Sequence, residues 1–373
     1  MSQESRNSHH RLLSIDALRG FDMFWIIGWG GIWHGLATLT DRPFFNWWAT
    51  QMTHCEWHGF HFYDLIFPLF LFIAGMSFPY SLEKSLQNGI TKKALYFKII
   101  KRGLILVFLG LVYNRIFSFD FENQRYASVL CVIGLAWMFG AIIFIHTKLK
   151  GRIIWCFGLL IFYWIALTLV QAPDFPEAPR FSPEGNIACY FDRIFTPGKL
   201  YREISDGAGL SVIIPSIATA LLGMMTGTFV KTSKEGLTEM KKVGYMTVAG
   251  IGLVALGWLW GLIFPINKWL WNSSYVCFSG GLSLLLFALF YWIIDVRGYR
   301  RWTLFFTVIG LNSITIYMAQ EFINFRYTAN FFFGGIIKLF PEVWNQFLGN
   351  LSIMAVCWLF LYFLYKQKIF IKV

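Results

Sequence analysis

The amino-acid sequence predicts an all-α polytopic membrane protein. Hydrophobic residues make up 57% of the 373 residues and charged residues only 14%, whereas about a quarter of a soluble domain is charged. Apolar runs recur along the whole length, and many reach the roughly 20 residues that a helix needs to cross a bilayer. Lys and Arg fall mainly in alternate connecting segments, as is usual for membrane proteins. Together these observations predict one transmembrane domain over residues 1–373.

About ten membrane-spanning helices are predicted. The first apolar run is longer than the core of a cleaved signal peptide, so we interpret it as a signal anchor. The short run at 329–340 cannot span a bilayer and is expected to be re-entrant or interfacial. In order, the predicted spans are 17–38, 62–82, 96–115, 127–147, 152–171, 209–230, 243–264, 273–294, 303–323 and 349–366.

The basic residues predict the orientation. Segment 83–102 alone holds six Lys and Arg residues, and the other alternate loops and the tail after 366 are also basic. The positive-inside rule then places both termini and 83–102 in the cytoplasm. It also explains the net charge of +12 without a nucleic-acid partner, with anionic membrane lipids as the expected contacts.

Cysteine spacing gives little guidance. The six cysteines form no CxxC pair or zinc-ribbon pattern. Cys55 and Cys189 both fall in loops that are predicted to lie outside, so a disulfide between them stays open.

Several predicted spans carry polar residues, which are costly in a membrane. Asp16 and Arg19 are spaced to pair on one helical face, either as an interfacial ion pair or in a ligand site. In 205–227 small residues favour close helix packing, and Pro215 predicts a kink. Asn272 either caps a helix or faces a substrate. Asn312 lies deep enough to need a partner inside the bundle.

The stretch 54–75 combines titratable residues with the start of the second span. His54, His58 and His61 are spaced i, i+4 and i+7, which predicts one shared helical face, and Asp64 lies a turn further on. Three interpretations remain open at this point. The residues hold a metal with Cys55 and Glu56, they are interfacial and hydrated, or one histidine is a general base or acyl carrier oriented by Asp64.

The pattern H-x2-W-x-G-x4-D-L-x-F-P-x-F-x-F-I-x-G, from His54 to Gly75, resembles the signature of the heparan-α-glucosaminide N-acetyltransferase family. It also resembles bacterial membrane proteins described as N-acetylglucosamine-related transporters. Further similar motifs follow in the family's order: S-I-D-A-L-R-G at 14–20, P-S-I-A-T-A-L-L-G at 215–223, L-W-N-S-S-Y-V at 270–276 and G-L-N-S-I-T-I-Y at 310–317.

This resemblance implies acetyl transfer across a membrane, from cytosolic acetyl-CoA to the amine of a glucosamine-type acceptor on the other side. It implies that His54 is the catalytic histidine and Asp64 its partner, with no metal. We expect the acceptor to contact Trp57, His58, Asn272 and Asn312.

Three positions depart from the family pattern. Gly30 and the Cys131–Val132 pair stand where the family has an asparagine and a Gln-Arg pair, and His58 also replaces an asparagine.

The resemblance also implies where the donor binds. Phosphates of acetyl-CoA would contact cytoplasmic basic residues, and the uncharged pantetheine arm would enter the helix bundle. The candidates for the phosphates are Arg19, Lys98, Lys101 and Arg102. A homodimer in a bacterial inner membrane is expected on the same basis. The alternative functions are an amino-sugar or muropeptide transporter and an O-acyltransferase of cell-envelope polysaccharide.

Overall fold

The computed structural model describes residues 12–371, and every regular element within them is helical apart from two isolated β-bridges. The predicted all-α class is therefore confirmed. The α-helices are α1 Leu13–Phe24, α2 Gly30–Thr40, α3 Pro43–Gln51, α4 Ile66–Gln87, α5 Lys92–Tyr113, α6 Val129–His146, α7 Leu149–Leu169, α8 Ile187–Phe195, α9 Ile213–Lys231, α10 Glu239–Gly261, α11 Ser273–Tyr291, α12 Thr303–Leu311, α13 Ser313–Phe322, α14 Phe325–Ile337 and α15 Asn345–Lys366.

The predicted spans all fall on helices. Within residues 12–371, seven helical segments are long and apolar enough to cross a membrane, and α12 with α13 gives an eighth if that pair, bent by 66°, is one span. The first predicted span consists of α1 and α2, joined by a π-helical segment, Trp25–Trp29. The third is α5, a helix of 22 residues with a basic first half. The chain is thus a polytopic membrane protein.

Four helices form the centre of the bundle. The most apolar windows of α4, α6, α9 and α11 are 56–72% buried inside the protein. The corresponding windows of α7, α10 and α15 are only 17–22% buried. Such apolar exposure is suited to contact with lipid, so these three helices lie at the periphery.

Close contact between α4 and α9 depends on glycine. A Cβ added at Gly223 would lie 2.1 Å from the carbonyl oxygen of Phe72, and one at Gly75 would lie 2.4 Å from that of Ala220. The predicted packing role of the small residues is therefore confirmed. The predicted kink at Pro215 is wrong, because α9 begins only at Ile213 and proline fits the first turn of a helix.

Two further sequence expectations are resolved by the fold. All six cysteines are free, so the disulfide left open between Cys55 and Cys189 is not formed. The short run at 329–340 overlaps α14, whose 13 residues cover about 20 Å and cannot span a bilayer.

Candidate functional site

The loop that carries His54 is not a helix. The helix α3 ends at Gln51, and helical structure resumes only with a 3-10 turn, Phe62–Leu65, before α4. Gly59 adopts φ 118 and its amide donates to the carbonyl of Ile266, which is incompatible with a continuous helix. The predicted shared helical face of the three histidines is therefore wrong.

Asp64 is the fixed centre of this loop. Its side chain is fully buried, and its Oδ1 lies 2.7 Å from Nδ1 of His54. Its Oδ2 accepts the backbone N–H groups of His61, at 3.0 Å, and Cys55, at 3.3 Å. A carboxylate only accepts hydrogen bonds, so Nδ1 of His54 carries the proton in this pair. The Nε2 lone pair is then available to take a proton from another group.

Lys268 lies directly against His54. It is 8% exposed, and its Nζ lies 3.0 Å from Nδ1 and 2.9 Å from Nε2 of the imidazole. An atom so close to both nitrogens would collide with Cε1 if it lay in the ring plane, so the ammonium lies over the ring face. Oδ1 of Asp64 is 3.9 Å from the same Nζ. Lys268 was not among the residues predicted from the sequence, although it lies two residues before the L-W-N-S-S-Y-V motif at 270–276.

The surroundings favour a neutral imidazole beside a cation. Burial lowers the pKa of His54 below its ordinary value, and the charges of Lys268 and Arg202 lower it further, against the opposing effect of Asp64. Burial also lowers the pKa of Lys268 to about 8, again opposed by Asp64. Near neutral pH, His54 is therefore mostly neutral and Lys268 mostly charged.

An apolar cavity opens beside these groups. Its volume is about 250 Å³, and His54, Tyr63 and Lys268 contribute its polar atoms together with Tyr113 and Tyr317. The remaining wall is hydrophobic and consists of Met23, Ile26, Ile66, Phe67, Phe70, Val129, Leu130, Ile133 and Ile314. A mainly apolar space lined by a histidine suits an uncharged ligand.

One of the predicted donor-binding residues, Arg19, lies on a helical face that reaches this cavity. Arg19 is four residues before Met23 on α1, and its partner Ser77 is seven residues after Phe70 on α4, so each shares a face with a residue of the cavity wall. Arg19 donates to Ser77 at 3.0 Å and pairs with Asp16 at 3.7 Å, which confirms the predicted Asp16–Arg19 pair.

Arg102 is within electrostatic reach of Arg19. Its guanidinium lies over the ring of Trp137, 4.1 Å from the centroid. Its Nε is buried and has no hydrogen-bond partner within the described part of the chain. Lys98 donates to Ser85 at 3.0 Å near the end of α4, and Lys101 is exposed. The four predicted residues thus differ in their surroundings: Arg19 and Arg102 contact residues inside the bundle, Lys98 contacts α4, and Lys101 is exposed.

The predicted acceptor residues lie outside the cavity wall. Trp57 donates its indole N–H to the carbonyl of Phe181 at 2.5 Å, and His58 lies 3.4 Å from the amide of Asn267. Both belong to the same loop as His54, but neither lines the cavity.

The two predicted asparagines have structural partners. Asn272 caps α11 by accepting the N–H of Tyr275 at 3.1 Å and donates to the carbonyl of Pro265 at 2.7 Å. Asn312 lies at the bend between α12 and α13 and bonds the backbone of Ile369 and Ile371, at 3.0 and 3.1 Å. Capping is therefore the alternative that the structure supports for Asn272, and the expected partner of Asn312 is the C-terminal segment.

No set of three or more His, Cys, Asp or Glu side chains in residues 12–371 is arranged to hold a metal ion.

An aromatic and basic rim, Arg125, Tyr201, Arg202 and Trp269, surrounds the polar end of the site. Trp269 and Tyr201 are stacked, and the guanidinium of Arg202 lies 3.7 Å from the Trp269 ring centroid. Arg125 is held by Asp206 through two hydrogen bonds of 2.7 and 2.6 Å. These residues come from three separate loops, so neither motif nor periodicity could have grouped them.

Comparison with known proteins gives a consistent result. The family model for "Heparan-alpha-glucosaminide N-acetyltransferase, catalytic" matches residues 11–257, which include His54 and Asp64. The chain is 26% identical over 423 residues to the heparan-alpha-glucosaminide N-acetyltransferase of Homo sapiens, covering 97% of this chain and 60% of that protein. It is 25% identical over 439 residues to the Mus musculus enzyme, covering 99% and 61%. The chain thus spans about three fifths of the length of these relatives.

Proposed function

The chain belongs to the heparan-alpha-glucosaminide N-acetyltransferase catalytic family, and from this membership we propose that it is a membrane-bound acetyltransferase. The proposed donor is acetyl-CoA, and the acceptor is the amine of glucosamine or of a glucosamine-containing glycan. The observation that carries the proposal is the pair formed by His54 and the fully buried Asp64, joined at 2.7 Å, where the imidazole lines an apolar cavity.

His54 supplies the acid–base chemistry. With Nδ1 held by Asp64, its Nε2 takes a proton from the acceptor amine as nitrogen attacks the acetyl carbonyl carbon. Alternatively, Nε2 attacks that carbon first and carries the acetyl group to the amine. In both routes Asp64 fixes the tautomer and orientation of the imidazole.

The basic residues suit the donor. Arg19 is one helical turn from Met23 of the cavity wall, and Arg102 lies over the ring of Trp137, one turn from Ile133 of that wall. The Nε of Arg102 has no partner among the described residues and is a donor that a phosphate oxygen would satisfy. Helix α4 rises roughly 17 Å between Ile66 and Ser77, a length suited to an extended thioester arm. Lys98 and Lys101 would then contact the nucleotide nearer the bundle end.

The proposed arrangement in the membrane follows from the loop charges. Both termini and the basic 83–102 segment face the cytosol, and His54 faces the periplasm of a bacterial inner membrane. Residues 1–373 act as one transmembrane domain, and we expect a homodimer in contact with anionic lipids. Trp57 and His58, in the His54 loop, are proposed to contribute to the acceptor side.

The first test is His54→Ala in purified protein, assayed with acetyl-CoA and glucosamine. We expect acetyl transfer to fall below detection while CoA binding, measured by titration calorimetry, is retained, because the basic residues proposed to hold the phosphates are unchanged. His34→Ala is the matched control and should transfer at the wild-type rate. Normal transfer by His54→Ala would contradict the proposal.

Parallel assays separate the alternatives. Counterflow of unmodified amino sugar without acetylation would identify a transporter, and acetylation of hydroxyl acceptors alone would identify an O-acyltransferase. Mass spectrometry of protein quenched during turnover distinguishes an acetyl-His54 carrier from direct attack.

A further inference from the structure

We propose that Lys268 is a further catalytic residue of this acetyl transfer, whose ammonium stabilises the negative charge that develops on the acetyl carbonyl oxygen beside His54. The inference rests on the proposed function and adds to it a residue outside the range that the family model matches.

The first argument is position. Lys268 and His54 line the same cavity, with Nζ 2.9 Å from Nε2 of the imidazole. Because the ammonium lies over the ring face, the in-plane lone pair of Nε2 stays accessible. A carbonyl carbon placed for attack near Nε2 would therefore have its oxygen within reach of Nζ.

The second argument is that this position is fixed. Asn267 is fully buried. Its side-chain oxygen accepts the backbone N–H of Leu270 at 3.0 Å, and its backbone N–H donates to the side-chain oxygen of Asn272 at 3.2 Å. The N–H of Trp271 donates to the carbonyl of Lys268 at 3.0 Å. These bonds brace the turn before α11 from both sides. A donor aimed before the reaction costs no reorganisation during it.

The third argument is unused donor capacity. An ammonium has three N–H donors, and a buried cation is costly unless it is paired. Asp64 is 3.9 Å from Nζ, beyond hydrogen-bond range, and its oxygens already accept from His54, His61 and Cys55. Lys268 is thus balanced in charge by Asp64. Its Nζ also contacts the two imidazole nitrogens of His54, which leaves at least one of its three N–H groups for a ligand oxygen.

The reaction balances with these groups alone. The C–N bond forms as the amine attacks, the carbonyl electron pair moves to oxygen, and Lys268 donates a hydrogen bond to that oxygen without giving up a proton. His54 takes the amine proton on Nε2. As the carbonyl re-forms, the C–S bond breaks and the sulfur leaves with the proton that His54 held, giving the amide and free CoA thiol.

The experiment compares Lys268→Met, which keeps length without charge, with Lys268→Arg, which keeps charge. Removing one oxyanion donor from an enzyme costs about 10²–10³-fold in kcat, and we expect that loss for Lys268→Met. We expect Lys268→Arg to be at least tenfold faster than Lys268→Met. Lys199→Met makes the same change at an exposed lysine between α8 and α9 and should retain the wild-type rate.

A pH profile separates catalysis from mere support of the fold. The charges acting on His54 come from Asp64, Lys268 and Arg202. Removing the Lys268 cation raises the pKa of His54, so the acidic limb of kcat/KM should move to higher pH in Lys268→Met and stay in place in Lys268→Arg. CoA binding and thermal unfolding check the fold, and Lys268→Gln replaces Lys268→Met if the latter does not fold.

Two results would overturn the inference: Lys268→Met within about threefold of wild type, or Lys268→Arg no faster than Lys268→Met. Failure of the proposed function gives a different pattern, in which wild type and His54→Ala are equally inactive towards every acceptor. Wild-type transfer with unaffected Lys268 variants would remove the role of Lys268 alone.

Discussion

At the scale of single residues, the chemistry of His54 is set by its neighbours. Asp64 is locked by two backbone N–H groups before it reaches the imidazole, so its orientation does not depend on a ligand. Lys268 adds a cation over the face of the same imidazole ring. An imidazole with this environment is neutral at neutral pH and oriented for proton transfer.

The same environment predicts a bell-shaped pH profile for acetyl transfer. A pKa of His54 lowered by burial places the acidic limb of kcat/KM below the ordinary histidine value. Burial lowers the pKa of Lys268 to about 8, and this places the alkaline limb near pH 8. The charges that also act on Lys268 are those of Asp64, Arg202, Arg125 and Asp206. The measurement is kcat/KM per neutral acceptor amine from pH 5 to 10. Lys268→Arg should lose the alkaline limb because its guanidinium stays charged, and a wild-type profile that is flat up to pH 10 would contradict this assignment.

The site was only partly accessible to sequence reasoning at this scale. His54 and Asp64 are ten residues apart in one motif, and the family resemblance paired them. The helical spacing of the histidines and Asp64 predicted one shared helical face, but the chain forms a loop here, with Gly59 at φ 118. Lys268 follows His54 by 214 positions, and the contact between them depends on how two loops pack together. A local sequence pattern does not predict such a tertiary contact.

At the scale of elements, the contact between α4 and α9 supports the site, since α4 begins at Ile66, two residues after Asp64. Glycine at 223 lets the two backbones approach each other. We predict that Gly223→Ala lowers the free energy of unfolding by about 1–3 kcal/mol, as overpacking does, because its Cβ would lie 2.1 Å from the carbonyl oxygen of Phe72. Thermal unfolding in detergent measures the effect.

A matched substitution on α10 tests whether close packing at Gly223 causes the expected destabilisation. A Cβ at Gly252 meets no atom within 4 Å, so Gly252→Ala should stabilise by about 0.5–1 kcal/mol through its helix preference. Equal destabilisation by both substitutions would show that close packing at Gly223 is not the cause.

Helix positions were predictable because long runs of apolar residues must lie in lipid or in the protein core, where the backbone has to be helical. The breaks within those helices were not predictable. The π-helical segment contains Gly28 at φ 139. Gly30, Gly31 and Gly35 follow in the same apolar run, so the sequence does not single out Gly28 as the position of the break. The bend at Asn312 depends on the C-terminal segment returning to bond its amide, which is a tertiary contact.

At the scale of the whole molecule, the proposed function requires the two ends of the bundle to face different compartments. Lys93 lies at the start of α5, and Lys199 lies in the segment between α8 and α9; both are exposed. We predict that a membrane-impermeant maleimide labels Lys199→Cys in intact cells and Lys93→Cys only after permeabilisation. The parent protein is the control, because five of its six cysteines are buried and Cys131 is partly so. Labelling in the reverse order would invert the proposed orientation.

The apolar wall of the cavity has an energetic consequence. Met23, Ile26, Phe67 and Phe70 offer no ionisable group, so a thioester arm enters without bringing charge into the bundle. In the proposed reaction a neutral amine and a thioester become an amide and a thiol, and no net charge is displaced between the compartments. The membrane voltage then does no work on the transfer. Synthesis on the far side is driven by the group-transfer potential of the thioester alone, and continues in a membrane that has lost its ion gradients.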